Sequence, residues 1–512
     1  MRALKMWADR VLTKKEVFYF FLVASMFYVF PIIHADFRYI DDNWRSLLLD
    51  YDQWRDQGRM LLEYTLTGLS LVPAKVNMFP LPLFVSIGVM AAAMASVTMY
   101  FFSGPSLFTC LVFLPLLCNP FFLGNLTYQY DGPGMVLAVS AAVFAITNNA
   151  KSAAVRCLVS AILIAVVLAL YQLTVSVFVG LCVVEFVWNV RNKRPVNDVL
   201  SVVVTRAGEL MAGCLIYFFS AFQLASDERG RLLPLNMDWW EGVSTKLLLT
   251  MNKVMLLFNP ALWVVASILL VTAGFSYLMW MRHFKEMKGG TLGRAVVVGL
   301  YLLAVPILVL CVPGAMLFVA EKSLDARNYI GFSVVLVFLF LLSYELFSIV
   351  KKGMAWFLVV PTMMMFSLSY TYGQVLIAKK ELEVAMATYI AYDLISRSEL
   401  STKRVFYYMS HGISNNWIPS AHGAMTHMPV QRYILSGSNA MLFPEFFPRL
   451  GVTNVVNGYF KGFQSEITAL KKEVCEPVVD NPFYSICVVG DSGFIAIKNR
   501  ADSEDYTERF KP

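Results

Sequence analysis

Charged residues are scarce in this sequence of 512 residues. Aspartate, glutamate, lysine and arginine make up 15% of it, whereas they make up about 25% of an average soluble protein. Hydrophobic residues reach 58%, which excludes an ordinary soluble protein and predicts an integral membrane protein. The net charge of +7 does not indicate a nucleic-acid partner, because the lysines and arginines lie mostly in short loops between apolar runs.

Histidine is also scarce, and none of the five histidines lies in the middle of an apolar run. A membrane haem protein needs axial histidines inside its spans, and a membrane acyltransferase with a histidine base needs one there as well. The sequence therefore disfavours both classes. The histidines of the C-terminal part fit no standard zinc spacing, and we interpret them as loop residues. The five are His34, His283, His411, His422 and His427.

Long apolar runs dominate the first three quarters of the chain. Eleven of them approach or reach the length of a membrane-spanning helix. The first run ends without a small-x-small cleavage site, so we expect a permanent span rather than a signal peptide. The predicted fold class is a membrane all-α protein with about eleven transmembrane helices. The runs are 17–33, 81–102, 107–123, 133–147, 157–170, 173–190, 207–225, 261–281, 295–320, 330–350 and 354–377.

Basic residues predict the orientation of these spans. The N-terminal segment carries several lysines and arginines, which predicts that it is cytoplasmic. With eleven spans, the later basic loops at 148–156, 191–206, 282–294 and 351–353 all fall on the same side. The C-terminus is then expected on the outer side.

The sequence changes character after about residue 379. A helical pattern covers 379–400, and strand-like runs follow at 404–409, 432–435, 452–457, 484–490 and 493–499. We therefore expect a transmembrane domain at 1–378 and an outer α/β domain at 379–512. Cys475 and Cys487 flank a proline-containing turn in the outer domain. An oxidising compartment would allow a disulfide between them, although spacing alone does not fix their Cα separation.

Residues 34–64 concentrate charge directly after the first apolar run, with seven acidic residues and four arginines. A helix from Trp44 would gather an aromatic and leucine face, which is typical of an amphipathic helix in the membrane interface. After Gly58 a second amphipathic stretch begins, in which Arg59 and Glu63 lie one turn apart. The face of the first helix would consist of Trp44, Leu47, Leu48, Tyr51 and Trp54.

Asp41 and Asp42 are harder to explain as solvated surface charges, because they stand just past the membrane boundary. Adjacent carboxylates repel each other, which favours a role as a base or a cation ligand. Capping of the helix that follows remains an alternative.

Other polar residues stand at the outer ends of the spans, where ionisable groups are functional candidates. A reaction on a phosphorylated lipid would use an acid as base and cations to hold the phosphate. A transporter or flippase is the main alternative, but it would be expected to show inverted repeats and interrupted helices near the midplane. The polar residues are Tyr128, Gln129, Tyr130, Asp131, Tyr171, Gln172, Glu321, Lys322, Asp325 and Arg327.

Four short elements resemble a known family. They are YIDDNWR at 39–45, W-x-x-x-G-R at 54–59, YQYD-x-P at 128–133 and LYQ at 170–172. Together they resemble the Gtr type II glucosyltransferases, which are bacterial and phage enzymes that modify O-antigen. The resemblance implies a GT-C architecture, with amphipathic juxtamembrane helices and the active site in the first periplasmic loop at 34–78.

The resemblance also implies the reaction and its partners. Glucose would move with inversion from undecaprenyl-phosphate glucose to the O-antigen polysaccharide of lipopolysaccharide, which converts the serotype. The reaction would take place on the periplasmic face of the bacterial inner membrane. A separate donor synthase and a flippase would supply the donor.

Residue roles follow from the same resemblance. Asp41 would be the catalytic base, with Asp42 as its partner or as the alternative base. No cofactor would be required, because a lipid-phosphate donor carries less charge than a nucleotide diphosphate. Mg²⁺ or Mn²⁺ at the two aspartates remains an alternative. Arg45 and Arg59 would either bind the phosphate or orient a carboxylate. The residues expected to bind the donor phosphate or the substrates are Arg45, Arg59, Glu63, Tyr130, Asp131, Tyr171, Gln172, Lys322 and Arg327.

Overall fold

The structure is a computed structural model that describes residues 10–47, 54–72, 76–225, 232–235, 238–320, 324–409, 418–435, 439–459, 461–470 and 475–498. The chain forms two compact units. The first comprises Met1–Ile33 and Leu49–Tyr370, and the second comprises His34–Leu48 and Thr371–Pro512. The predicted domain boundary at 378/379 stays a prediction.

Helices build the first unit, and the last of them, Val359–Ser396, continues into the second. Short 3-10 turns extend or connect several of them, at Leu114–Leu116, Gln172–Thr174, Ala221–Leu224, Met281–Lys285, Gly314–Leu317, Ala326–Asn328 and Lys352–Leu358. The α-helices are Lys14–Ala35, Met60–Ser70, Leu81–Phe101, Leu107–Phe113, Phe122–Leu126, Asp131–Thr147, Ala153–Leu170, Val175–Arg191, Val196–Phe218, Trp239–Met255, Pro260–Trp280, Thr291–Cys311, Phe332–Val350 and Val359–Ser396.

Within the described ranges, nine helical segments are long and apolar enough to cross a membrane. The chain is therefore a multi-pass membrane protein. Two of the eleven predicted spans coincide with shorter apolar helices, Leu107–Leu116 and Asp131–Thr147. The first of these contains Pro115, which lacks the backbone N–H that a continuing helix uses. The count of eleven and the GT-C architecture stay predictions.

Two helices differ from the sequence-based boundaries. The helix Val196–Phe218 begins well before residue 207, so Arg206 lies inside a helix and not in the predicted basic loop. The predicted last span and the predicted helix at 379–400 form one continuous helix, Val359–Ser396, of 38 residues. Charged residues in its second half lower the hydropathy without interrupting the backbone hydrogen bonds.

Small residues let the membrane helices approach closely. The helices Ala153–Leu170 and Val196–Phe218 pack against each other at Gly213, where a Cβ would lie 2.6 Å from the side chain of Ile164 and 2.8 Å from the carbonyl oxygen of Ala161. Without a hydrophobic force between helices in lipid, such close backbone contact is a main source of association.

A five-stranded sheet forms the centre of the second unit. The strands are β1 (Val405–Tyr408), β2 (Val455–Asn457), β3 (Glu476–Asp480), β4 (Tyr484–Val489) and β5 (Ser492–Ile497), in the order β2-β1-β5-β4-β3. β1 pairs in parallel with β2 and β5, whereas β4 pairs antiparallel with β3 and β5. The mixed sheet and its helices agree with the predicted α/β class of the tail.

The strand predictions for the tail were partly wrong. Residues 432–435 belong to the helix Val430–Leu435, because a run of four apolar and long side chains suits either structure. β3 was not predicted, since it begins with Glu476 and Pro477, which are unfavourable in strand interiors. The structure joins Cys475 and Cys487 in a disulfide with Cα atoms 5.5 Å apart.

Apolar side chains from the helix Val359–Ser396 cover one face of this sheet. Ile390 and Leu394 pack in one cluster with Phe406 of β1 and Ile495 of β5. Their spacing of four residues puts them on one side of the helix, and the alternation along each strand supplies the matching face.

Candidate functional site

Asp41 and Asp42 lie in different surroundings although they are neighbours in sequence. The side chain of Asp42 is buried, and its Oδ2 accepts a hydrogen bond of 3.0 Å from the backbone N–H of Tyr39. The side chain of Asp41 is 34% exposed, and its Oδ2 lies 3.6 Å from Nη2 of Arg45. Asp41 also accepts a bond of 3.3 Å from Nε1 of Trp44. Of the two carboxylates, that of Asp41 is the one within reach of a substrate.

Asp41 stands at the N-cap position of the helix Asp42–Arg45, but its side chain makes no capping hydrogen bond. The residue before it, Ile40, has a φ of +47°. A β-branched residue rarely adopts this left-handed conformation, which costs roughly 1–3 kcal/mol. Strain of this kind concentrates at functional sites, and here it directly precedes the candidate base.

The stretch around Asp41 is held by residues near the C-terminus within the second unit. The hydroxyl of Tyr39 donates to the carbonyl of Ile434 at 2.7 Å. Nη2 of Arg449 donates to Oδ1 of Asn43 at 2.8 Å. Ile434 and Arg449 therefore hold the residues on both sides of the Asp41–Asp42 pair in place.

Arg45, the last residue of the helix Asp42–Arg45, is buried. Its guanidinium lies 5.1 Å from the ring centroid of Trp44 and close to the carboxylate of Asp41. A buried arginine is poorly placed for a bulky lipid phosphate but well placed to orient a carboxylate. Of the two roles expected for Arg45, the geometry favours orientation of Asp41.

A second polar cluster lies in the first unit around Asp131, the first residue of the helix Asp131–Thr147. Oδ1 of Asp131 accepts a hydrogen bond of 3.0 Å from Nε1 of Trp54 and lies 3.6 Å from Nη1 of Arg59. A carboxylate in the first helical turn also interacts favourably with the helix dipole. Tyr130 packs near the ring of Trp54, with centroids 6.5 Å apart.

Arg59 links Asp131 to the turn between two spans. Its Nε donates to Oε1 of Gln172 at 3.3 Å, and its guanidinium lies 4.9 Å from the ring centroid of Tyr171. Gln172 in turn donates to the carbonyl of Gln57 at 2.7 Å. The structure thus brings together four predicted residues, Arg59, Asp131, Tyr171 and Gln172, from three separate parts of the chain.

Arg327 joins the same cluster from a further loop. Its Nη1 donates to the hydroxyl of Tyr128 at 2.6 Å, and its Nη2 lies 3.4 Å from Asp325. Its carbonyl accepts hydrogen bonds from Tyr171 at 3.3 Å and from Asn125 at 3.1 Å. Burial raises the pKa of the Tyr171 hydroxyl, so the phenol keeps the proton that this bond requires. We call Arg59, Asp131, Tyr171, Gln172 and Arg327 the arginine cluster.

The predicted interfacial helix from Trp44 to Trp54 differs from the structure. The helix ends at Arg45, and Trp54 is buried against Asp131 instead of facing lipid. Apolar residues at helical spacing can contact either lipid or protein. The spacing alone therefore did not show that Trp54 packs against protein. Of the predicted face, Leu48 and Tyr51 lie outside the described residues.

Glu63 forms an ion pair with Arg55, whose Nε and Nη2 donate to its carboxylate at 2.9 and 2.7 Å. Neither this pairing nor the contact of Trp54 with Asp131 was predicted from the sequence. Lys322, the remaining candidate for the donor phosphate, lies outside the described residues.

A buried ion cluster inside the membrane spans was also missed. Arg206 donates to Glu185 and to Glu209, at 2.9 Å each, and to the carbonyl of Ile146 at 2.7 Å. The last bond satisfies the C-terminal end of the helix Asp131–Thr147. The signal was present in the sequence, because a glutamate inside an apolar run requires a polar partner.

In the described part of the chain, no group of three or more histidine, cysteine or acidic side chains is arranged to hold a metal ion. The side chain of Asp42 is buried, whereas Asp41 is paired with Arg45. Binding of a divalent cation at these aspartates stays a prediction.

Comparison with known proteins identifies relatives. A curated protein of Salmonella phage P22, described as an uncharacterized 55.3 kDa protein in the gtrB 5' region, is 24% identical over 233 residues. The aligned part covers 44% of this chain and 48% of that protein, so the chain spans about half the length of the relative. No solved structure matches the chain significantly.

A family model described as Glucosyl transferase GtrII matches residues 30–372. This range includes the Asp41–Asp42 pair and every residue of the arginine cluster. It ends before the sheet of the second unit. Because the match covers most of the sequence, the chain belongs to the Glucosyl transferase GtrII family.

Proposed function

We propose that the protein is an O-antigen glucosyltransferase that converts the serotype. It transfers glucose from undecaprenyl-phosphate glucose to O-antigen polysaccharide on the periplasmic face of the bacterial inner membrane. The observation that carries the proposal is the family match over residues 30–372, within which both polar clusters lie.

Asp41 is the proposed base. Its carboxylate takes the proton of an acceptor hydroxyl, and that oxygen attacks C1 of the glucose. The bond between C1 and the phosphate oxygen breaks, and undecaprenyl phosphate leaves with the electron pair. A single displacement inverts the configuration at C1. One carboxylate suffices because a phosphate leaves readily, whereas glycosidases need a second carboxyl group to protonate a poor leaving group. The partial exposure of Asp41 supports this role.

The arginine cluster is the proposed binding site for the donor phosphate. The side chains of Arg59 and Arg327 are both part-exposed, so a ligand can approach them. Arginine binds phosphate with two parallel hydrogen bonds, and its charge stabilises the leaving group. Asp131 and Gln172 orient Arg59, and Tyr130 and Asp131 are proposed to line the sugar site. No cofactor enters this proposal.

The orientation in the membrane is part of the same proposal. The basic loops of the sequence favour a cytoplasmic N-terminus and a periplasmic second unit. The disulfide between Cys475 and Cys487 suits the oxidising periplasm. A separate synthase and a flippase are proposed to deliver the donor.

The test is mass spectrometry of lipopolysaccharide from cells that express the protein with a donor synthase and a flippase. We expect added hexose with the wild type and a loss of roughly 10²–10⁴-fold in Asp41→Asn, the usual contribution of a general base. Asp36→Asn is the matched control, because Asp36 is exposed and asparagine tolerates its φ of +44°. No hexose with the wild type would contradict the reaction, and an active Asp41→Asn would contradict the role of Asp41.

A further inference from the structure

The helix Trp239–Met255 has three chemically different faces. Val243, Lys246 and Thr250 are buried against the protein. Lys246 donates to the carbonyl of Met316 at 3.0 Å and also to that of Val319. These hydrogen bonds of Lys246 hold this side of the helix against the protein.

A second face is apolar and exposed. Trp240 is 71% exposed, Leu248 66% and Met255 48%. At about 100° per residue these three positions fall within about 80° of one another on the helix. The three side chains follow one another about two turns apart along the same side of the helix. Exposed apolar side chains aligned in this way mark a contact surface.

The third face is exposed and carries the polar residues Glu241, Thr245 and Asn252, with Leu249, 41% exposed, at its edge towards the buried face. The three polar positions lie within about 40° of one another on the helix, next to the apolar face and away from the buried one. Separate apolar and polar exposed faces are typical of a helix that lies in a membrane interface.

The position of the helix in the chain identifies what covers its apolar face. Only residues 256–259 separate it from the span Pro260–Trp280, so its C-terminal end lies at the membrane boundary. In this connection the ring of Phe258 stacks on Trp263, with centroids 4.7 Å apart. The helix therefore leads directly into a membrane span, so lipid is available to cover its apolar face.

We propose that the helix Trp239–Met255 is an interfacial helix that lies in the headgroup region of the bilayer, with Trp240, Leu248 and Met255 inserted into the lipid. Tryptophan favours this depth. Through Lys246 the helix also holds the segment around Met316, which leads to the loop that carries Arg327. The proposal does not depend on the proposed reaction.

The test is electron paramagnetic resonance of the full-length protein in nanodiscs of phosphatidylethanolamine and phosphatidylglycerol. A keto amino acid, introduced by amber suppression and coupled to a nitroxide, replaces Leu248 or, as the matched control, Thr245. We expect the ratio of oxygen to nickel-chelate accessibility to be severalfold higher at 248 than at 245. Trp240 provides a second label position on the apolar face if the first variant fails to fold.

Two outcomes would overturn the proposal. High nickel accessibility at both 248 and 240 would place the apolar face in water. Low accessibility to both oxygen and nickel at these positions would indicate that protein, rather than lipid, covers the face. Because the measurement needs no donor or acceptor, it is independent of whether glucose is transferred.

Discussion

Asp42 is adjacent to the proposed base, but its burial predicts an effect on stability. Asp42→Ala removes a charged acceptor from the N–H of Tyr39, and a hydrogen bond to a charged group is worth roughly 1.5–3 kcal/mol. We expect a lower melting temperature in detergent for Asp42→Ala. Asp41→Asn should lose transfer with a smaller fall in melting temperature, because Asp41 is part-exposed although it pairs with the buried Arg45. Equal melting temperatures for the wild type and both variants would contradict this division of roles.

Gly58 shapes the turn before Arg59. Its φ is +68°, and a Cβ there would collide with the hydroxyl of Tyr217. Gly58→Ala should therefore cost about 1–2 kcal/mol for the left-handed backbone alone and displace Arg59, with reduced glucosylation. The control is Gly68→Ala in the helix Met60–Ser70, where a Cβ meets nothing within 4 Å. That substitution should stabilise the helix by about 0.5–1 kcal/mol. Thermal unfolding measures the change in stability of each variant, and hexose addition measures the change in glucosylation.

At the scale of elements, the segment Asn439–Leu450 should support the base from a distance. Arg449→Ala removes the hydrogen bond to Asn43, so the stretch that carries Asp41 becomes less well held. We expect glucosylation to fall roughly tenfold, which corresponds to about 1.4 kcal/mol, with an unchanged pH profile. Arg404→Ala is the control, because Arg404 is exposed and pairs on the surface with Glu466. Equal glucosylation by Arg449→Ala and Arg404→Ala would show that Arg449 does not position the stretch that carries Asp41.

Hydrophobic runs predicted these elements well, since each predicted span overlaps a helix of the structure. The errors have physical reasons. Arg206 was assigned to a loop because its charge lowers the local hydropathy. A hydropathy scale does not take into account that Glu185 neutralises this charge inside the protein. Residues 432–435 were predicted as a strand because a run of four residues is too short to distinguish the period of a helix, 3.6 residues, from that of a strand, 2 residues.

The candidate site was predictable where its residues are neighbours in sequence. The elements at 39–45 and 128–133 stood out by composition, and the structure includes them in polar clusters. Arg449 could not be found in this way, because it lies 406 residues from Asn43. The acidic partner of Arg59, Asp131, lies 72 residues further along the chain. The spacing of apolar residues within one helix does not predict a contact between residues so far apart.

At the scale of the whole molecule, topology gives a prediction that requires no enzyme assay. A reporter fused after Lys379 should be active as a periplasmic alkaline phosphatase and inactive as a cytoplasmic β-galactosidase, because the basic loops place an odd number of spans before it. A fusion after Lys193, in a predicted cytoplasmic loop, is the control with the opposite pattern. A cytoplasmic signal from both fusions would contradict the eleven-span count.

The contact between Tyr39 and Ile434 also has a consequence for the order of events during synthesis. The two residues are 395 positions apart. At about 5–20 residues per second, a ribosome needs roughly 20–80 s to make the intervening chain. The Asp41 stretch leaves the ribosome early and must wait in an unfinished form while the membrane helices insert. The stretch that carries Asp41 therefore reaches its final form only after Ile434 and Arg449 have emerged. A stop codon before residue 434 should remove the proposed glucosylation even though the candidate base has already been made.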